Sequence, residues 1–176
     1  MEQFIFIASN ISGFVAGICV LISMFAKDKF NILVCNCFSS VFFMLSVLGL
    51  NSYSGILING FMLCINAFLL FGEMKRGVKA LIVVIGGALS VYFNNNGMVG
   101  LLPAAASMMY IYAVCFQSNH KTIIRIIGAS NILWCIYHIG IGNYASAVCN
   151  VAIFVTAIYR TGALLNTSKP KKEVKI

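Results

Sequence analysis

Seven long apolar stretches, separated by short polar breaks, decide what this chain can fold into. They cover residues 4–26, 30–50, 54–72, 79–93, 98–117, 122–141 and 144–162. Most approach the ~20 residues that a helix needs to cross a hydrocarbon core of ~30 Å. The chain is 61% hydrophobic and only 9% charged, too few charges to clothe a water-soluble domain of 176 residues. Its solvent is therefore largely lipid. The runs are continuous, not alternating, so the spans are helices and not barrel strands. The fourth stretch is short and relies on Lys79 snorkelling or on local bilayer thinning.

Charge predicts how these spans are threaded. The twelve Lys and Arg are Lys27, Lys29, Lys75, Arg76, Lys79, Lys121, Arg125, Arg160, Lys169, Lys171, Lys172 and Lys175. In a seven-span reading every one falls on the same side. The connections near Asn51–Tyr53, 94–97 and 141–143 carry none. The positive-inside rule then puts the N-terminus outside and the C-terminus in the cytoplasm. The same bias accounts for the net charge of +8, as a cytoplasmic face near anionic lipid. It is no nucleic-acid footprint, since no basic stripe with interleaved aromatics exists. The start, Met1-Glu2-Gln3, lacks the positive region of a cleavable signal. The tail 166–176 is basic, and its part from 168 to 176 is expected to be disordered.

Sliding the sequence by 91 residues aligns Gly49, Tyr53 and Asn59 with Gly140, Tyr144 and Asn150, without a gap. Ile32/Ile123 and Ser39/Ser130 match at the same offset. The shift superposes spans one to three on spans five to seven. It covers four crossings, an even number, so both copies point the same way and span four restores orientation between them. The expected architecture is all-α: seven spans arranged three, one, three. Its parts are a first repeat at 1–72, a linker at 73–97, a second repeat at 98–165 and the tail. Gly49 and Gly140 are read as helix caps in a left-handed conformation, and Tyr53 and Tyr144 as interface anchors.

Asn59 and Asn150 lie inside spans, where an unpartnered amide costs a few kcal/mol. Each is six residues past its tyrosine, hence about 9 Å below the outer surface. Trp134 lies about 10 Å deep on span six, and its counterpart at offset 91 is Phe43. Two amides and two aromatics thus share one layer, which suits a small polar ligand with an apolar face. Ser130, Asn131, Trp134, Tyr137 and His138 recur at helical spacing and give span six a polar, aromatic face; Asn36, Ser39, Ser40, Phe43 and Ser46 do so for span two. The candidate ligand-binding set is Asn59, Asn150, Trp134, Phe43, His138, Tyr137, Asn131 and Ser40. Pro103 is the candidate hinge, because a proline inside a helix removes a main-chain hydrogen bond.

The remaining chemistry is sparse. Glu2, Asp28, Glu73 and Glu173 all fall at span ends, so no carboxylate stands ready for a proton-driven pump. No catalytic motif occurs, which argues against an enzyme. The seven cysteines lie within spans without metal-ligand spacing and read as small hydrophobes. No metal or cofactor is expected.

Trp134-x-x-Tyr137 followed by Asn150, with Asn59 in the other half, resembles the sugar-transporting SWEET proteins and their PQ-loop relatives. His138 with Gly140, Tyr144 and Asn150 is similar to the YgjV-type bacterial inner membrane proteins. The resemblance implies two parallel three-helix bundles around a substrate held by Asn59, Asn150, Trp134 and Phe43. Phe43 stands where a second tryptophan is usual, and the proline-glutamine pair is absent at Phe25-Ala26 and Phe116-Gln117, so sugar specificity is not implied. The expectation is a facilitative transporter of a small, uncharged solute in a bacterial inner membrane. Its partners are the lipid bilayer and that solute; nucleic acid is excluded and a homo-oligomer is left open. A non-transporting receptor or a structural protein of the same fold is the alternative.

Overall fold

The computed structural model describes residues 2–72 and 74–167. Glu73 and the basic tail from 168 onward, on which a disorder expectation was placed, lie outside the described residues. Seven α-helices account for nearly all of these residues: α1 (Glu2–Phe25), α2 (Lys29–Gly49), α3 (Tyr53–Phe71), α4 (Arg76–Tyr92), α5 (Leu102–Phe116), α6 (His120–Gly140) and α7 (Tyr144–Thr167). Six are long and apolar enough to cross a membrane; α5 reaches that length with the 3-10 turn Val99–Leu101 that precedes it. The exception is α4. At 17 residues it spans about 26 Å, short of a full hydrocarbon core. It starts three residues earlier than the 79–93 stretch suggests. Lys79 turns inward to donate to the carbonyl of Cys115 at 3.1 Å, satisfying an orphan acceptor at the end of α5.

Six helices close into a ring in the order α1, α2, α3, α5, α6, α7, with α7 meeting α1 again, while α4 packs outside against α3 and α5. Small residues set the α1–α7 seam. A side chain at Gly13 would strike Ser146 Oγ, and one at Gly17 would strike Cys149 Cβ. The ring's outer surface carries exposed Phe4, Phe14, Phe38, Leu45, Phe68, Val148 and Val155, a lipid-facing coat rather than a water-facing one.

Local signals fix the helix ends twice over. Asp28 caps α2 by accepting from the backbone N–H of Asn31 at 2.8 Å, and Asn119 caps α6 by accepting from that of Lys121 at 3.0 Å. After α2 the N–H of Ser52 donates to Val47 O and that of Asn51 to Leu48 O; after α6 Asn143 donates to His138 O and Gly142 to Ile139 O. Both are Schellman ends. The left-handed residues are Asn51 (φ 54°) and Gly142 (φ 77°), which corrects the cap role given to Gly49 and Gly140. Those two glycines serve close approach instead. A Cβ at 49 would meet Ser9 Oγ, and one at 140 would stand 2.6 Å from Val99 Cγ1.

Of the two left-handed positions at these helix ends, Gly142 is the one that rests on its lack of a side chain. Gly142→Ala should cost about 1–2 kcal/mol, whereas Asn51→Gly should change stability by at most a few tenths. Thermal unfolding midpoints of the detergent-solubilised variants check this.

Pro103 stands near the start of the fifth span, as the sequence places it. It occupies the first turn of α5, directly after the 3-10 turn, where a helix tolerates proline best.

Candidate functional site

A cavity of about 40 Å³ lies at the centre of the helix ring. Such a space holds a few water molecules by volume. Its walls come from six helices: Val20 of α1, Asn36, Ser39, Ser40 and Phe43 of α2, Asn59 and Met62 of α3, Tyr110 of α5, Ile127, Ser130, Asn131 and Trp134 of α6, and Asn150 of α7. Ten of these thirteen form five pairs separated by 91 residues: Asn36/Ile127, Ser39/Ser130, Ser40/Asn131, Phe43/Trp134 and Asn59/Asn150. No Lys, Arg, Asp or Glu is among them.

Helical spacing explains how the polar residues reach the centre. On α2, Asn36, Ser39, Ser40 and Phe43 fall at i, i+3, i+4 and i+7, and on α6 Ile127, Ser130, Asn131 and Trp134 repeat the interval. Each amide is held in place by its own NH2 group. Asn36 Nδ2 donates to Ile32 O at 2.7 Å, Asn59 Nδ2 to Gly55 O at 2.8 Å and Asn131 Nδ2 to Ile127 O at 2.7 Å. Asn150 Nδ2 hydrogen-bonds to His138 Nδ1 at 2.8 Å. The other ring nitrogen, Nε2, is buried without a hydrogen-bond partner among the described residues.

Three rings close one end of the cavity. Phe43 and Trp134 are nearly parallel, 6° apart, with centroids separated by 6.3 Å. His138 stacks against both, at 5.4 Å from Phe43 and 5.5 Å from Trp134. Beyond this layer, toward the α2–α3 and α6–α7 turns, lies a second closure made of hydrogen bonds. Tyr137 OH of α6 and Ser52 Oγ of the α2–α3 turn are 2.5 Å apart, and Asn96 Nδ2 also donates to Ser52 Oγ. Reciprocally, Asn143 Nδ2 of the α6–α7 turn donates to Ser46 Oγ of α2 at 2.7 Å, and Ser46 donates onward to Ser9 O. Ser46 and Tyr137 are 91 apart, as are Ser52 and Asn143.

Six of the residues singled out from the sequence, Asn59, Asn150, Trp134, Phe43, Asn131 and Ser40, therefore stand around one cavity. Two do not line it. His138 sits behind the rings and Tyr137 belongs to the hydrogen-bonded closure, one turn nearer the end of α6. Pro103 touches neither. Tyr110 is an addition: it lines the cavity and donates its hydroxyl proton to Asn66 Oδ1 at 2.8 Å. A tyrosine in the interior of span five, away from the interfaces where tyrosines usually lie, was the available signal. Nearer the opposite end of the ring, Met24, Leu33, Ile65 and Ile124 are buried.

A family model described as a bacterial inner membrane protein, Imp-YgjV, matches residues 7–164. No curated protein and no solved structure matches the chain.

Proposed function

The chain belongs to the Imp-YgjV family of bacterial inner membrane proteins, and from that premise we propose a facilitative transporter of a small, uncharged solute working by alternating access. The proposal includes its build: two parallel three-helix units at 1–72 and 98–165, related by a pseudo-twofold axis along the membrane normal and joined by α4. This is the SWEET-like plan. The N-terminus faces outward and the C-terminus the cytoplasm.

The observation that carries this reading is the cavity wall. Five offset pairs from the two units meet at one central point, with four amides and two aromatic rings among them. Substrate sites between repeats are how many transporters are organised. Helix bounds agree with the repeat, since α2 and α6 both begin and end 91 residues apart. The wall carries no charged residue and no carboxylate lies in the interior of a span, so the motive force assigned is the solute's own gradient.

The size of the cavity favours a second reading. A space of about 40 Å³ suits a few waters better than a large solute, as expected of a protein whose amides only hold helices together.

Swelling of liposomes loaded with purified protein separates the two, using glycerol, erythritol, acetamide and methylurea as osmolytes. Swelling faster than protein-free liposomes for any of them supports transport. Equal rates across the panel would retire it in favour of the structural role.

A further inference from the structure

The geometry points to a solute that offers more hydrogen-bond donors than acceptors and has a flat face, the chemistry of small ureas and primary amides. This inference rests on the central cavity being the recognition site proposed above.

It follows from where the cavity's own hydrogens go. Asn36, Asn59 and Asn131 each spend an N–H on a carbonyl of their own helix, and Asn150 spends one on His138 Nδ1. The orientation of the first three is forced, because a carbonyl can accept only from the NH2 side of an amide. Their four Oδ1 atoms make no hydrogen bond among the described residues, yet none counts among the fully enclosed unpartnered atoms, so each keeps some open surface. Each such oxygen carries two lone pairs against the one N–H its amide has left.

The hydroxyls lean the same way. Ser40 gives its proton to Asn36 O, Ser130 to Ile127 O and Tyr110 to Asn66 Oδ1. All three therefore meet the cavity as acceptors. Seven oxygens thus outweigh the remaining donors, chiefly single amide N–H groups, Ser39 and the Trp134 indole.

A solute without N–H or O–H groups would strip water from these oxygens and return nothing, and each unmatched polar group costs about 1–3 kcal/mol. The near-parallel faces of Phe43 and Trp134 favour a planar body over a branched one. Absence of any carboxylate in the wall disfavours a cationic guanidinium relative to a neutral urea.

Trp134 is the chain's single tryptophan and stands in the wall, so its emission reports occupancy directly. Purified protein in detergent is titrated over one millimolar range with methylurea, with tetramethylurea (same carbonyl, no N–H), with glycerol and with guanidinium. Methylurea should give a saturable emission shift, with half-saturation at least about tenfold below that of the other three, and Asn59→Leu should weaken it about tenfold. Equal response to both ureas, tighter binding of glycerol or guanidinium, or no saturable shift for any probe would overturn the inference. Saturable methylurea binding with no liposome swelling would overturn transport and leave the recognition chemistry standing. Swelling by another solute without a methylurea response would do the reverse.

Discussion

Gly13→Ala/Gly17→Ala will open the helix ring. These two glycines lie one turn apart on α1 and let it sit directly against α7. An added Cβ at 17 runs into Cys149 Cβ, which cannot move without its backbone, and one at 13 meets Ser146 Oγ, with Asn143 Oδ1 at 2.8 Å and Ser46 Oγ at 2.9 Å. Overpacking of this kind costs about 1–3 kcal/mol per site, so the pair should lose about 2–6 kcal/mol. Small residues matter more here than in a soluble core, because lipid competes well with loosely packed side chains. The expected result is a sharp fall in monodisperse yield and in the thermal midpoint of whatever is recovered. Gly162→Ala, whose new methyl would meet nothing within 4 Å, should be neutral or slightly stabilising. Wild-type behaviour of the double variant would mean that the α1–α7 seam is looser than its geometry.

Asn150→Ala should reduce liposome swelling by tenfold or more while the protein is still made and inserted. Two consequences of the change pull in different directions. Removing the amide strips a polar group from the cavity wall, which acts on function. It also leaves His138 Nδ1 buried without a donor, which costs about 1–3 kcal/mol of stability. Thr161→Val supplies the comparison, since Thr161 bonds only within α7 and lies away from the cavity. Swelling lost at near-normal yield places Asn150 in solute recognition. Swelling and yield falling together would place it in the structure alone.

Much of the helical layout could be read from the sequence, because lipid enforces it. The stretches 30–50 and 122–141 differ from α2 and α6 by no more than two residues at either end. The short fourth span was legible too, though Arg76 and Lys75 hid its true start. What depends on helix rotation was harder. Tyr137 and His138 share a face with Trp134 on a helical wheel, yet one turn of rise carries them past the cavity and behind its rings. Ser52 and Asn143 gave little sign of their partners, because each bonds to a residue at least 85 positions away on the opposite side of the ring. The left-handed positions were misassigned for a similar reason. Gly49 matches Gly140 by identity, whereas Asn51 and Gly142 match only in φ.

The reciprocal fastening of Ser52 by Tyr137 and of Asn143 by Ser46 has a mechanical corollary. Each connecting bend has one side-chain tie that reaches across to the opposite side of the ring. Full separation at this pole therefore requires both ties to break. It also means that a fragment comprising only one side would lack the counterpart that seals it.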